Sequence, residues 1–115
     1  MAPPTGTDDD LDALFTALSD RTRRDIVARL STGEATVKEL AEPYTMSLQA
    51  VSQHIRVLER SGLISQGRHR QTRPCRLEPE ALETALSWIE QSRRAWSDRM
   101  DRLETHLARL QQEEP

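Results

Sequence analysis

At 115 residues and a formal net charge of −3, the chain has the size of one domain. Charged residues make up 30% of it, hydrophobic residues 36% and aromatic residues 3%, which suffices for one modest core but not for a deep enclosed pocket. The length excludes large catalytic folds of the barrel or doubly wound type. No apolar run approaches the roughly 20 residues that cross a bilayer.

The amino-terminal sequence and the cysteine count predict where the protein resides. No basic start followed by an apolar stretch is present, so no secretory signal is visible. The single cysteine, Cys75, cannot form an internal disulfide, which suits a reducing compartment. We therefore expect a cytoplasmic protein without a membrane partner.

The net charge conceals an uneven distribution along the chain. Residues 1–20 carry five acids and no base, whereas residues 21–76 carry eleven Lys or Arg against five acids, a net +6. Residues 77–115 are acidic again, with a net charge of −4. Since local charge decides whether a surface attracts polyanions, the middle segment is compatible with a nucleic-acid partner.

The amino-terminal part predicts a disordered tail followed by two helices. Residues 1–7 are rich in Pro, Gly and Thr, and residues 8–111 form the predicted domain. The acidic run from Asp8 favours a helix start, because carboxylates there satisfy free N–H groups and the helix dipole. Asp20 offers an N-cap for the second helix, which reaches about Ser31. One face of the first helix is apolar: Leu11, Leu14, Phe15 and Leu18.

Residues 36–61 predict a helix-turn-helix. Thr36 and Glu39 match a capping box, and Pro43 ends the short helix that they start. Ser47 caps a longer helix, in which apolar residues recur every three or four positions. A short helix, a turn of about four residues and a longer helix make this motif. The predicted inward residues of the longer helix are Leu48, Val51, Ile55 and Leu58.

The remaining residues predict a wing and one long helix. Residues 63–78 indicate two short strands around a basic tip. Pro74 has no backbone N–H, so it is expected at a position where the strand pairing needs no hydrogen-bond donor. Residues 79–111 start at Pro79, contain no internal Gly or Pro, and repeat apolar residues at alternating spacings of four and three. The predicted fold class is mostly α with a small β-hairpin wing: a winged helix-turn-helix with a long C-terminal dimerisation helix.

This long helix predicts a homodimer, because a domain of this size cannot cover a stripe roughly 50 Å long by itself. The helix is expected to pack against its copy, with help from the first helix. Arg93 interrupts the stripe, so it requires an acidic partner, such as Glu90 of the other chain, or a solvent gap. The predicted interface residues are Leu11, Leu14, Phe15, Leu82, Leu86, Ile89, Trp96, Met100, Leu103 and Leu107.

The outward face of the helix that Ser47 caps carries residues suited to reading DNA. Glutamine pairs with adenine edges, serine contacts bases or phosphates, and an alanine methyl can touch a thymine methyl. Arginines on the wing suit the phosphate backbone or the minor groove. The plainer alternative is a solvated polar face with solubilising loop charges. The predicted DNA-binding residues are Ser47, Gln49, Ala50, Ser52, Gln53, His54, Arg56, Arg68, Arg70 and Arg73.

Two stretches resemble a known family. Residues 17–27 look like the second-helix signature of the arsenic-repressor (ArsR) type of bacterial winged-helix regulators. Residues 47–64 look like the recognition helix of that family and its entry to the wing, and the similarity covers about residues 11–110. The resemblance implies a homodimer that binds an inverted-repeat operator in double-stranded DNA and represses transcription until a signal releases it.

The chain departs from the metal-sensing members of that family. They carry two cysteines in or beside the third helix, where residues 37–42 contain none, and soft metals require thiolate clusters. Glu104 and His106 on the last helix are two residues apart and do not share a face, which leaves a site shared across the dimer as the open alternative. We predict no metal and no cofactor. Cys75 is predicted to be an inert, half-buried thiol, with an oxidation switch as the alternative.

Two further interpretations compete with a DNA-binding repressor. One is a nickel- or zinc-responsive sensor of the same family, and the other is a winged-helix module that binds another protein rather than DNA. An enzyme is not predicted, since the sequence offers no Gly-rich phosphate loop, no nucleophile with a plausible base and no metal cluster of recognisable spacing. The effector, the operator sequence and the regulated genes are not predicted.

Overall fold

A computed structural model describes residues 8–67 and 73–113. Its helices, its two-stranded antiparallel hairpin and its long last helix confirm the predicted fold class. The elements, in chain order, are α1 (Asp8–Ala17), α2 (Arg21–Leu30), α3 (Val37–Ala41), α4 (Leu48–Arg60), β1 (Ile64–Gln66), β2 (Cys75–Leu77) and α5 (Pro79–Gln112).

The chain divides into two compact units, and the division falls inside α5. The first unit is Met1–Ala85, which contains α1 to α4, the hairpin and the first turns of α5. The second unit is Leu86–Pro115, which contains the rest of α5. The long helix predicted over residues 79–111 is confirmed, since α5 starts at Pro79 and ends one residue later than predicted.

Side-chain caps fix where the helices of the first unit begin. Asp20 precedes α2 and accepts a hydrogen bond from the Arg23 backbone N–H at 3.1 Å. Thr36 and Glu39 form the predicted capping box at the start of α3, each side chain accepting a bond from the other residue's backbone N–H. Each bond satisfies an N–H group that a helix start leaves without an intrahelical partner.

The core of the first unit is arranged around α4, which contacts α1, α2, α3 and β1. Val51, Ile55 and Leu58 form the buried stripe of α4, each at most 1% exposed. Gly62 follows the helix with a φ of 85°, a left-handed conformation that glycine adopts without a side-chain clash. The buried stripe fixes which side of α4 remains outside.

The hairpin is tied to the helix-turn-helix by a bridge that the sequence did not predict. Ile64 pairs with Leu77 and Gln66 pairs with Cys75 across the two strands. Cys75 also bonds Ala35, just before α3, through both backbone groups at 2.7 and 3.2 Å. Pro74 lies just outside β2, as expected for a residue without an N–H donor.

The first helix contributes to the core of a single chain more than expected. Leu14 is 2% exposed and Leu11 is 8% exposed, although both were predicted as dimer-interface residues. Phe15 and Leu82 are half-buried and pack against the same core. The apolar face of α1 packs on α4 of its own chain, which leaves little of Leu11 and Leu14 for a partner to cover.

Candidate nucleic-acid interface

Helix α4 presents a polar face opposite its buried stripe. Gln49, Gln53 and Arg56 are exposed, and Ser52 is half-buried beside them. Together with Leu48, these side chains line a shallow surface depression. The patch therefore combines amide, hydroxyl and guanidinium groups, which can donate and accept hydrogen bonds toward base edges and phosphates.

Leu48 was predicted to point inward, and that prediction is wrong. Its side chain is 54% exposed, whereas Val51, one turn later, is fully buried. Leu48 is the first residue of α4, so it lies at the edge of the surface that α4 buries against its neighbours. An exposed leucine beside polar recognition side chains can make an apolar contact with a thymine methyl.

Gln53 and Arg56 contact one another one helical turn apart. The Arg56 guanidinium donates to Gln53 Oε1 at 3.3 Å. Both side chains are exposed, and an exposed contact of this kind contributes little free energy. The pair can therefore separate at small cost when either group finds a nucleic-acid partner.

The amino terminus of α4 lies beside the same face. Ser47 is exposed and caps the helix, its hydroxyl accepting from the Ala50 N–H at 3.1 Å. Ala50 is half-buried, so its methyl group still reaches the surface. Small side chains at this end permit close approach to a duplex, and the helix dipole favours phosphate there.

His54 lies at the margin of the polar face and turns toward α2. Its Nδ1 atom is 3.2 Å from the Arg23 guanidinium and 3.9 Å from Asp20 Oδ1. The hydrogen bond from the Arg23 backbone N–H is the main cause that lowers the pKa of Asp20; desolvation partly opposes this shift, and the nearby His54 adds to it. His54 is thus a predicted DNA-binding residue whose side chain also contacts α2 of its own chain.

Two arginines of α2 hold the end of α1. Arg23 donates to the backbone oxygens of Ala17 at 2.7 Å and Thr16 at 3.0 Å. Arg24 donates to the Leu18 oxygen at 2.9 Å. These bonds satisfy carbonyls that the last turn of a helix leaves without partners. No local sequence pattern predicts the Arg23 contacts, because their partners lie on other elements.

The basic wing is only partly within the described residues. Arg68 and Arg70, two of the predicted phosphate contacts, lie outside them. Arg73 is exposed and has a φ of 31°, and Arg76 on β2 lies 4.0 Å from the Glu78 carboxylate. Arg73 is therefore the predicted DNA-binding wing residue whose place in the structure can be described.

Cys75 is more deeply buried than predicted. Its side chain is fully buried on β2, and burial, followed by the nearby charge of Glu59, raises the pKa of the thiol to about 11. A raised pKa suppresses the thiolate, which is the form that reacts with oxidants. These surroundings favour the inert thiol over the oxidation switch.

Much of α5 beyond Ala85 presents apolar side chains to solvent. Apolar residues recur along its length: six of them are each between 45% and 59% exposed, and Met100 is half-buried. Arg93 pairs with Glu90 of its own chain at 3.1 Å, so the predicted pairing with Glu90 of another chain is not needed to satisfy it. This stripe comprises Leu86, Ile89, Trp96, Leu103, Leu107 and Leu110.

Residues 8–67 and 73–113 show neither clustered metal ligands nor a membrane span. No group of three or more His, Cys, Asp or Glu side chains in these ranges is arranged to hold a metal ion. The same ranges contain no helix that combines the length and the apolar character of a membrane span.

Comparisons with known proteins place this fold in a family. A helix-turn-helix domain family matches residues 18–66. The transcriptional repressor SdpR of Bacillus subtilis is 32% identical over 76 residues, which are 66% of this chain and 84% of that protein.

Solved structures agree with the sequence relatives. The crystal structure of an ArsR family transcriptional regulator superposes with a TM-score of 0.76 at 36% identity, covering 82% of this chain and 97% of that one. An ArsR-like transcriptional regulator from Rhodococcus sp. RHA1 superposes with a TM-score of 0.75 at 25% identity, covering 84% and 92%. The chain belongs to the ArsR family of winged helix-turn-helix transcriptional regulators.

Proposed function

We propose that this protein is a homodimeric repressor that binds an inverted-repeat operator in double-stranded DNA and has no catalytic role. The observation that carries the proposal is the exposed polar face of α4, which follows a capped α3 and a short turn. In a helix-turn-helix, the second helix enters the major groove and its side chains read base edges. SdpR, a relative of this chain, is a transcriptional repressor.

The proposed recognition divides the residues into two groups. Gln49, Ser52 and Gln53 read base edges in the major groove, where glutamine can pair with adenine N6 and N7. The wing arginines Arg68, Arg70 and Arg73 bind phosphates or the minor groove. The first group supplies sequence preference and the second supplies affinity that depends on salt but not on sequence.

The proposed dimer covers the apolar stripe of α5. The six stripe residues are exposed by about half in the single chain, and water contact over such an area is unfavourable. A second copy offers an identical stripe, as expected for a symmetric interface. Two copies also match an operator with two half-sites. We further infer a cytoplasmic location, where such DNA is accessible.

The test is a titration of fluorescent duplex containing the DNA upstream of the protein's own gene. Arg68→Ala with Arg70→Ala should weaken binding to every duplex and flatten its salt dependence, whereas Gln53→Ala should change which sequences are preferred. Arg102→Ala with Arg109→Ala removes the same charge from exposed positions of α5 and serves as the control. If both recognition variants bind like the parent, α4 and the wing do not form the DNA-binding surface. Loss of binding on adding stoichiometric nickel or zinc would instead favour a metal-responsive sensor.

A further inference from the structure

One side chain joins three helices beside the polar face of α4. The Arg23 guanidinium donates to the Thr16 and Ala17 carbonyls at the end of α1 and lies 3.2 Å from His54 Nδ1 on α4. Asp20 Oδ1 is the second group near that ring nitrogen, at 3.9 Å. His54 therefore lies between a cation and an anion that both belong to the start of α2.

The contact with Arg23 favours one of the two neutral tautomers of His54. An arginine side chain has donors but no acceptor, so Nδ1 must accept with its lone pair. A neutral imidazole with a free lone pair on Nδ1 has its proton on Nε2. Asp20 would favour the opposite arrangement, because a carboxylate accepts from an Nδ1–H group. Arg23 and Asp20 thus compete for Nδ1, and the shorter distance belongs to Arg23.

The other ring nitrogen remains available for a partner outside the chain. Nε2 of His54 makes no hydrogen bond within residues 8–67 and 73–113, and over the same ranges no buried polar side-chain atom lacks a partner. Nε2 must therefore reach solvent, in agreement with the 22% exposure of the side chain. An Nε2–H at the margin of the recognition face is a donor with no acceptor among the residues that the structure describes.

We propose that Arg23 is a positioning residue for DNA binding, which holds His54 as the Nε2–H tautomer so that this N–H donates to a backbone phosphate. The inference rests on the proposed function of α4. Without Arg23, Asp20 draws the proton to Nδ1, and Nε2 then presents a lone pair that a phosphate oxygen repels. Phosphate contacts from the margin of a recognition helix fix its register on the duplex.

The first test measures the tautomer in the full chain without DNA. Nitrogen NMR of the imidazole distinguishes a protonated from an unprotonated ring nitrogen, and the wild type should show Nε2–H at a pH where His54 is neutral. Arg23→Ala should move the proton toward Nδ1. Arg24→Ala loses a similar bond to the end of α1 but has no contact with His54, so it should retain Nε2–H. A wild type with the proton on Nδ1 would overturn the proposal.

The second test uses the chemistry of glutamine and asparagine to separate the two ring nitrogens in DNA binding. His54→Gln supplies an amide nitrogen close to the position of Nε2, whereas His54→Asn supplies one close to Nδ1. We expect His54→Gln to bind the duplex within about two-fold of the wild type and His54→Asn to bind about ten-fold more weakly. Equal binding by these two variants would contradict a role for Nε2, and this comparison does not require Arg23→Ala to fold.

A double-mutant cycle then tests whether Arg23 acts through His54. Arg23→Ala should weaken binding about ten-fold in the wild type but less than two-fold in His54→Gln. The reason is that an amide NH2 group is always a donor, whereas Nε2 of histidine donates only when it carries the proton. The same loss in both backgrounds would mean that Arg23 contacts DNA by itself. That result would overturn this inference but not the proposed function. A wild type that binds no duplex would overturn the proposed function, while the tautomer measurement would still decide the Arg23–His54 relation.

Discussion

Cys75 lies on β2 with its side chain buried. Cys75 has Arg73 and Arg76 close by in sequence, which would stabilise a thiolate. In the structure, successive side chains of β2 alternate between its faces, so Cys75 is buried while Arg76 is exposed. Loss of solvation then outweighs the sequence neighbours and raises the pKa of the thiol to about 11.

We expect native Cys75 to be nearly inert toward thiol reagents at pH 8. With the pKa at about 11, the thiolate is scarce, whereas an unfolded cysteine titrates near 8.5. A disulfide reagent should react about 100-fold more slowly with native protein than with protein in denaturant.

The same pKa shift predicts how stability depends on pH. The folded thiol ionises only at a higher pH than the unfolded thiol, so its contribution is complete below about pH 8.5 and is lost as the pH rises toward 11. The difference in the free energy of unfolding between the wild type and Cys75→Ala should therefore shrink across that range.

In the labelling experiment, a fast reaction of the native protein at pH 8 would contradict the burial of the thiol.

At the scale of single elements, the sequence predicts most where the cause is local. The capping box at Thr36 and the caps at Asp20 and Ser47 involve residues at most three apart, so the helix starts could be read directly. The outward positions of Gln49 and Gln53 followed from helical periodicity, and both are exposed.

Contacts between residues that lie far apart in the chain were not predicted. The bridge between Ala35 and Cys75 and the contact between Arg23 and His54 join residues 40 and 31 positions apart, and no local pattern marks either. Leu48 fits the apolar period of α4 yet lies at its first residue, where the neighbouring elements no longer cover the helix. Periodicity gives the direction of a side chain, but not whether anything covers it.

The position of Leu48 gives a prediction about stability. Leu48→Ala should change the free energy of unfolding by less than about 1 kcal/mol, because the side chain is already 54% exposed. Ile55→Ala is the matched comparison on the buried stripe and should cost about 2–5 kcal/mol. Urea unfolding of both variants at one fixed protein concentration measures the difference. Similar losses for the two would mean that Leu48 is buried in solution.

For the assembly, the sequence predicts an interface with a second copy, but not which of its apolar residues the single chain buries in its own core. The heptad stripe of α5 was predicted from spacing alone, and its apolar side chains are exposed in the single chain. The contribution expected from α1 is smaller, since Leu11 and Leu14 are used in the core of their own chain. Periodicity shows that a helix face is apolar, but an apolar face that packs within its own chain has the same spacing as one that packs on a partner.

We expect two charges on the stripe to separate the dimer. Leu103→Glu with Leu107→Glu places carboxylates where the proposed partner would bury them, which is costly without a counter-ion. Sedimentation at micromolar concentration should give about the 13.1 kDa mass of one chain for this variant and about twice that mass for the wild type. Ala108→Glu with Gln112→Glu adds the same charge away from the stripe and should remain dimeric. A wild type that sediments as one chain would contradict the interface.

Methylation interference on a duplex that the protein selects from random sequence tests whether paired α4 helices read the operator. Methyl groups on guanine N7 lie in the major groove and block a helix from entering it. Two α4 helices of one dimer should produce two clusters of interference about 10 base pairs apart, related by an inverted repeat, and Gln53→Ala should alter the selected bases within each cluster. A single cluster, or selected duplexes with no preferred sequence, would contradict the claim that paired α4 helices read the operator.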